Sequence, residues 1–130
     1  MRHIAAALAL ALLSTSAHAL EPDFSEMTRK DCHLVARYSA GTALERDYQN
    51  YSRAQSEETT RQALTTGLIP QMTQQWHYTN EHALAVAMLI RDHTTDVYRG
   101  GPLELSRLDV TDVYMMTFDD CMIRAGIFLD

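Results

Sequence analysis

NEHALAVAMLIRDHTTDVYR, residues 80–99, carries two hydrophobic patterns in succession. Residues 83–90 (Ala, Leu, Ala, Val, Ala, Met, Leu, Ile) are apolar without a break. A helix that is apolar on every side has to be buried on every side. Across the whole stretch Ala83, Val86, Ala87, Ile90, Thr94 and Val97 recur at helical spacing, with Tyr98 beside them. Arg91, Asp92, Thr95, Asp96 and Arg99 lie off that face. A strand over 83–90 is the alternative; three alanines and the length that follows favour helix. Asn80 can cap the start by accepting an orphan backbone N–H. Gly100-Gly101-Pro102 stop the helix, since glycine tolerates the left-handed turn after it and proline cannot continue it. The stretch predicts a central helix, 80–99, whose first half is enclosed by the others.

Working outward, Glu21 to Met27 reads as a mobile lead-in. Thr28 with Asp31 three positions on forms a capping box. Cys32, Val35, Ala36, Ser39, Ala40 and Ala43 then continue at helical spacing to about Tyr51. Gly41 inside this helix costs about 1 kcal/mol relative to alanine unless another backbone approaches it. Ser56, followed by Glu57 and Glu58, predicts the cap of a short second helix ending at Gly67, with Leu68-Ile69-Pro70 as an apolar turn. Residues 71–79 (QMTQQWHYT) read equally well as one helical turn or two. After the central helix, Ser106 is a plausible cap. Val110, Val113, Tyr114, Thr117, Phe118, Cys121 and Ala125 form the stripe of a last helix that Gly126 ends. Ile127-Phe128-Leu129 is an apolar tail expected to pack back. The expectation is an all-α bundle of three to five helices around 80–99.

The chain opens MRHIAAALALALLSTSAHA: an arginine, an apolar run over 4–13, then Ala17-His18-Ala19. This is the pattern of a secretory leader, 1–19, cleaved after Ala19. The run is shorter than the roughly 20 residues that span a bilayer. Residues 20–130 then form a single domain. Losing Arg2 leaves ten Lys and Arg against seventeen Asp and Glu, a formal charge of −7. The single lysine is Lys30, and no basic cluster exists, which argues against nucleic acid and anionic membranes as partners. Cys32 and Cys121 are the only cysteines. In an oxidising compartment they predict one internal disulfide; buried thiols or an intermolecular bond are the alternatives. The bridge would join the start of the first helix to the end of the last, and closing so long a loop is worth about 4 to 5 kcal/mol in the chain-entropy view.

Catalytic patterns are sparse. His33, His77, His82 and His93 do not form HExxH. His82 and His93 stand about 16 Å apart along a helix, too far to share a metal. These histidines read as surface or rim residues, with no metal site and no cofactor. Asp92 and Asp96 read as a solvated face, and no G-x-S-x-G is present. Trp76, Tyr78, Tyr48, Tyr51 and Arg46 are the residue types that dominate interface hot spots and are the candidate partner-binding set. For Trp76 a plug in the core is the competing expectation.

A leader, Cys32 opening an Ala-rich helix that reaches Arg46-Asp47, Val97-Tyr98 before a Gly/Pro break, and Phe118 with Cys121 near the end together resemble the small two-cysteine helical periplasmic proteins of Proteobacteria. Tyr48-Gln49 departs from the glycine those proteins often carry two residues after the Arg-Asp pair. In plan the chain is more distantly similar to immunity proteins of the Rap/Tai type and to acid-stress chaperones of the HdeA type. The resemblance implies a periplasmic protein that acts on another periplasmic protein. A non-catalytic inhibitor or immunity module is the leading expectation, with an acid-responsive chaperone second and a small hydrolase third.

Overall fold

The computed structural model describes residues 23–127; the expected leader over 1–19 and Phe128-Leu129 of the expected apolar tail lie outside them. Helix α1 is Arg29–Tyr48. Its capping box forms as expected: Thr28 Oγ1 accepts the Asp31 N–H, and the Asp31 carboxylate accepts the Thr28 N–H. Met27 ahead of it is buried, so the end of the lead-in is anchored to the core. Cys32, Val35, Ala36, Ser39 and Ala43 are buried along one stripe. No other backbone closes on Gly41: a Cβ there would meet nothing.

Helix α2, Arg53–Gln62, starts earlier than expected. Its cap is Ser52, paired with Gln55 in a second capping box, and not Ser56. Ser56 is buried, and its Oγ is 2.8 Å from the Tyr98 hydroxyl. Neither Gly67 nor Pro70 breaks the chain. Two π-helical turns, Ala63–Leu68 and Gln71–Gln75, carry it through. In an α-helix Pro70 would forfeit one bond and press on the carbonyl four residues back. Here the Ile69 N–H reaches five residues back to Leu64, and the Trp76 N–H five back to Gln71. The widened register absorbs the proline and turns Leu68, Ile69 and Met72 into the core.

Helix α3, Asn80–Arg99, is the central helix. Thr79 caps it, its Oγ1 accepting the His82 N–H at 3.1 Å, so Asn80 becomes the first helical residue. Every residue of the expected inner face is buried, and so are His82 and His93, which the sequence placed at the surface. Gly100 and Gly101 both take positive φ, and a side chain at Gly101 would collide with the Asp96 carboxylate. A 3-10 turn, Leu105–Arg107, leads to α4, Val110–Arg124. Asp109, and not Ser106, caps α4 by accepting the Asp112 N–H. Val113, Thr117 and Cys121 are buried as expected, with Met122 added.

The four α-helices pack with α1 laid against both α3 and α4. The main core gathers Val35, Leu64, Leu68, Ile69, Met72 and Met122 around the first half of α3. A smaller cluster of Ala43, Val97, Leu105 and Val113 closes the far end. Cys32 and Cys121 are bonded, with Cα atoms 5.5 Å apart. Among the described residues no helix is long and apolar enough to cross a membrane.

Candidate functional site

The capping box of α1 has a second role. Asp31 is 1 % exposed, and a buried carboxylate requires partners. Its Oδ2 accepts the Thr28 N–H at 3.0 Å and lies 2.7 Å from His82 Nε2; its Oδ1 accepts the Tyr78 hydroxyl at 2.6 Å. The Tyr78 ring lies flat on the His82 ring, centroids 3.7 Å apart and planes 7° apart. Burial pushes the Tyr78 phenol above its ordinary range, and the bond to Asp31 adds to the shift, so Tyr78 serves as a donor. On the far side of the imidazole, His82 Nδ1 faces Glu26 Oε2 at 3.8 Å. Thr79 Oγ1 donates to that same oxygen at 2.9 Å. Trp76 leans on Tyr78 at 5.7 Å and remains 38 % exposed, a boundary residue in place of the expected core plug.

Asp31 and His82 form the carboxylate–imidazole pair from which a general base is built. A base also needs its second nitrogen turned to a nucleophile or a water. In this arrangement Glu26 occupies that direction. The cluster therefore works as a clamp that ties the start of α1, the turn at 76–79 and the start of α3 beside Cys32.

A second buried pair lies deeper along α3. His93 Nδ1 is 2.7 Å from the Leu89 carbonyl, and Nε2 is 2.7 Å from Asp120 Oδ2. Both neighbours are acceptors, so an imidazolium would use both N–H groups. The Arg124 guanidinium reaches the same Asp120 oxygen at 2.9 Å. The hydrogen bond to His93, with the Arg124 charge behind it, holds the Asp120 carboxyl below the usual range against the opposing effect of burial.

Of the five residues expected to bind a partner, Trp76 and Tyr78 meet, but the set does not form one surface. Arg46 is spent inside the fold, donating to the carbonyls of Val97 (2.8 Å), Leu105 (3.2 Å) and Leu108 (2.6 Å) while pairing with Asp47. Tyr51 accepts the Tyr98 hydroxyl through its carbonyl. Tyr78 belongs to the Asp31 clamp. Tyr48 is 75 % exposed but sits at the other end of α1 from the clamp. The sequence reading missed a row on α4: Met115 (57 %), Met116 and Ile123 (76 %) are exposed. Their signal was present, because they sit at helical spacing from one another and off the buried stripe.

Among the described residues no three His, Cys, Asp or Glu side chains converge to hold a metal. No protein family, no characterised protein and no solved structure matches the chain.

Proposed function

We propose that this is a secreted binding module of the inhibitor or immunity kind, held rigid by its disulfide and active in its folded, neutral-pH form. The supporting observation is the exposed row on α4. Met116 and Ile123 are seven residues apart and Met115 and Ile123 eight, so all three share one side of the helix. Scattered exposed apolar residues are ordinary, but two methionines and an isoleucine on one side of α4, with Asp112 and Asp119 interspersed, make a small adaptable surface that mixes apolar and acidic groups. It suits a protein partner that offers apolar side chains interleaved with basic ones. The leader pattern and the disulfide support a periplasmic setting.

The test is a photo-crosslinking amino acid at position 123, compared with the same label at Arg53 on α2. The reading expects one discrete adduct from position 123, abolished by Met116→Asp at unchanged melting temperature. Equal labelling from both positions, or an adduct indifferent to Met116→Asp, would sink it. The chaperone reading draws on a different observation, the Asp120 carboxylate held below the usual range by His93, a pairing that acid would weaken. Protection of a client from aggregation at pH 2 and not at pH 7 would favour that reading; the binding-module reading expects no protection at pH 2.

A further inference from the structure

The outer side of α1 is arranged about one glycine. Gly41 stands in mid-helix, where glycine is unfavourable relative to alanine. One reason for a glycine in such a place is the close approach of another backbone. Among the described residues nothing makes that approach, since a Cβ at Gly41 would meet no atom within 4 Å. Leu34, Tyr38, Gly41, Glu45 and Tyr48 follow at alternating steps of four and three residues, the spacing of a seam along which two helices pack. Cys32, Ser39 and Ala43, on the buried stripe, fall on the opposite side of the helix. The outer side is open: Leu44 is 44 % exposed, Tyr48 stands clear of the surface, and Leu34 and Tyr38 are half-buried. A groove of about 420 Å³ follows it where α1 meets α2, with Leu34, Tyr38, Gly41 and Glu45 along one wall and Thr59 and Ala63 along the other.

This face is its own complement. Tyr38 and Leu44 stand three residues to either side of Gly41, Arg37 and Glu45 four, and Leu34 and Tyr48 seven. Two copies of α1 laid antiparallel about a two-fold axis at Gly41 therefore set Arg37 level with the partner's Glu45. The same axis sets Tyr38 level with the partner's Leu44, and Leu34 level with the partner's Tyr48. In an isologous contact each of these pairs occurs twice. A parallel pairing would set Arg37 against Arg37 and Glu45 against Glu45, so charge selects the antiparallel arrangement. The two glycines meet at the crossing and bring the helix axes to the near end of the usual separation of about 8 to 10 Å. Burial already pushes the Glu45 carboxyl above the usual carboxylate range, and a guanidinium arriving from a second copy offsets that cost.

We propose that the protein forms a two-fold dimer through α1, with Gly41 at the crossing and Arg37 of each copy paired to the partner's Glu45. One helix pair buries less surface than a permanent interface. Seventeen acidic residues against eleven basic ones oppose self-association at long range. The dimer is accordingly reversible. It is also independent of the α4 row, which lies on another helix.

The test is sedimentation equilibrium of the full chain, disulfide intact, from about 1 μM to about 1 mM. The expected result is a monomer–dimer equilibrium with a dissociation constant on the order of 10 to 100 μM. Gly41→Leu places a side chain where the monomer has open space and two copies would have none. It should weaken the dimer about tenfold or more at an unchanged or raised melting temperature. Arg37→Glu alone and Glu45→Arg alone should each remain monomeric over that range. An equimolar mixture of the two variants should recover the dimer, because opposite charges then face each other at both contacts. Met116→Asp, on α4, should leave the constant unchanged. A wild-type mass that stays monomeric throughout would overturn the proposal, and so would a dimer indifferent to Gly41→Leu or to Arg37→Glu. A mixture that fails to associate would do the same, as would a dimer lost on Met116→Asp, which would place the contact on α4. Should Glu45→Arg fail to fold, the Gly41→Leu and Arg37→Glu arms decide.

Discussion

The bundle is closed at its two ends by different chemistry. At one end the Cys32–Cys121 bond lies beside the Asp31–His82–Tyr78 clamp, with the Asp120–His93 pair behind it. At the other, Arg46 reaches across to three backbone carbonyls and gathers the C-terminal turn of α3 and the 105–108 segment onto α1. The first closure is covalent and titratable. The second relies on a guanidinium that stays charged at any accessible pH and on carbonyls that do not titrate. The carboxyl groups near each end also respond to acid with opposite signs. Asp120 is held below the usual range by His93 and Arg124. Its contribution is present above the unfolded value, near pH 4, and is lost as pH falls through the folded value. Asp96, against Gly101, and Glu45, beside Arg46, are pushed above the usual range by burial. For them acid relieves a cost. Asp47, lowered by Arg46, opposes this trend at the Arg46 end, but it is exposed and screened by solvent.

The largest expected effect is at the covalent end. Reduction, or Cys32→Ala with Cys121→Ala, should lower the melting temperature by more than about 10 °C, given about 4 kcal/mol for a loop this long. A scan showing no difference between oxidised and reduced protein would remove the covalent end from the comparison. Next comes Arg46→Met, expected to cost about 2 to 4 kcal/mol because three carbonyls lose charged donors together. Hydrogen exchange should rise over 97–108 while the amides around Cys32 stay protected; uniform exchange would mean that the ends are not separable. Third, Asp120→Asn should cost about 1 to 2 kcal/mol at pH 7 and progressively less as acid protonates the wild-type carboxyl. In a wild-type titration from pH 6 to pH 2, protection should fall first along the 117–124 turns of α4. If 97–108 opens first, the signs assigned to the two ends are wrong. The smallest change belongs to neither end. Gly41→Ala meets open space in mid-helix and should stabilise by about 0.5 to 1 kcal/mol in a denaturant melt.

The features legible in the sequence are those whose causes are local. The buried face of α3 follows from periodicity, and the Thr28–Asp31 box from residues three apart. The disulfide followed from two cysteines and the leader pattern. Where two neighbouring residues could both cap, composition could not choose between them. Thr79 outcompeted Asn80 because its hydroxyl meets the His82 N–H, and Ser52 outcompeted Ser56 because Ser56 is claimed by Tyr98, a partner 42 positions away. The glycine and proline at 67 and 70 read as breakers under α-helical rules, and a change of register evades those rules. Arg46 looked like a binding residue because its carbonyl acceptors are 51 to 62 positions distant. His82 and His93 looked exposed because their carboxylates arrive from α1 and α4. The α4 row was readable as the off-stripe positions of a helix.

The covalent bond has a mechanical meaning as well. Cys32 and Cys121 are 89 positions apart in the chain and 5.5 Å apart in space. A tether pulling on the segments outside them transmits its tension through the two sulfur atoms, and apart from the first turn of α1 and the last of α4 the helices bear none of it. About 300 Å of contour, at roughly 3.4 Å per residue, is locked behind that bond. Under load the oxidised protein is a short inextensible link; once reduced, it becomes a spring whose unfolding releases the whole stored length.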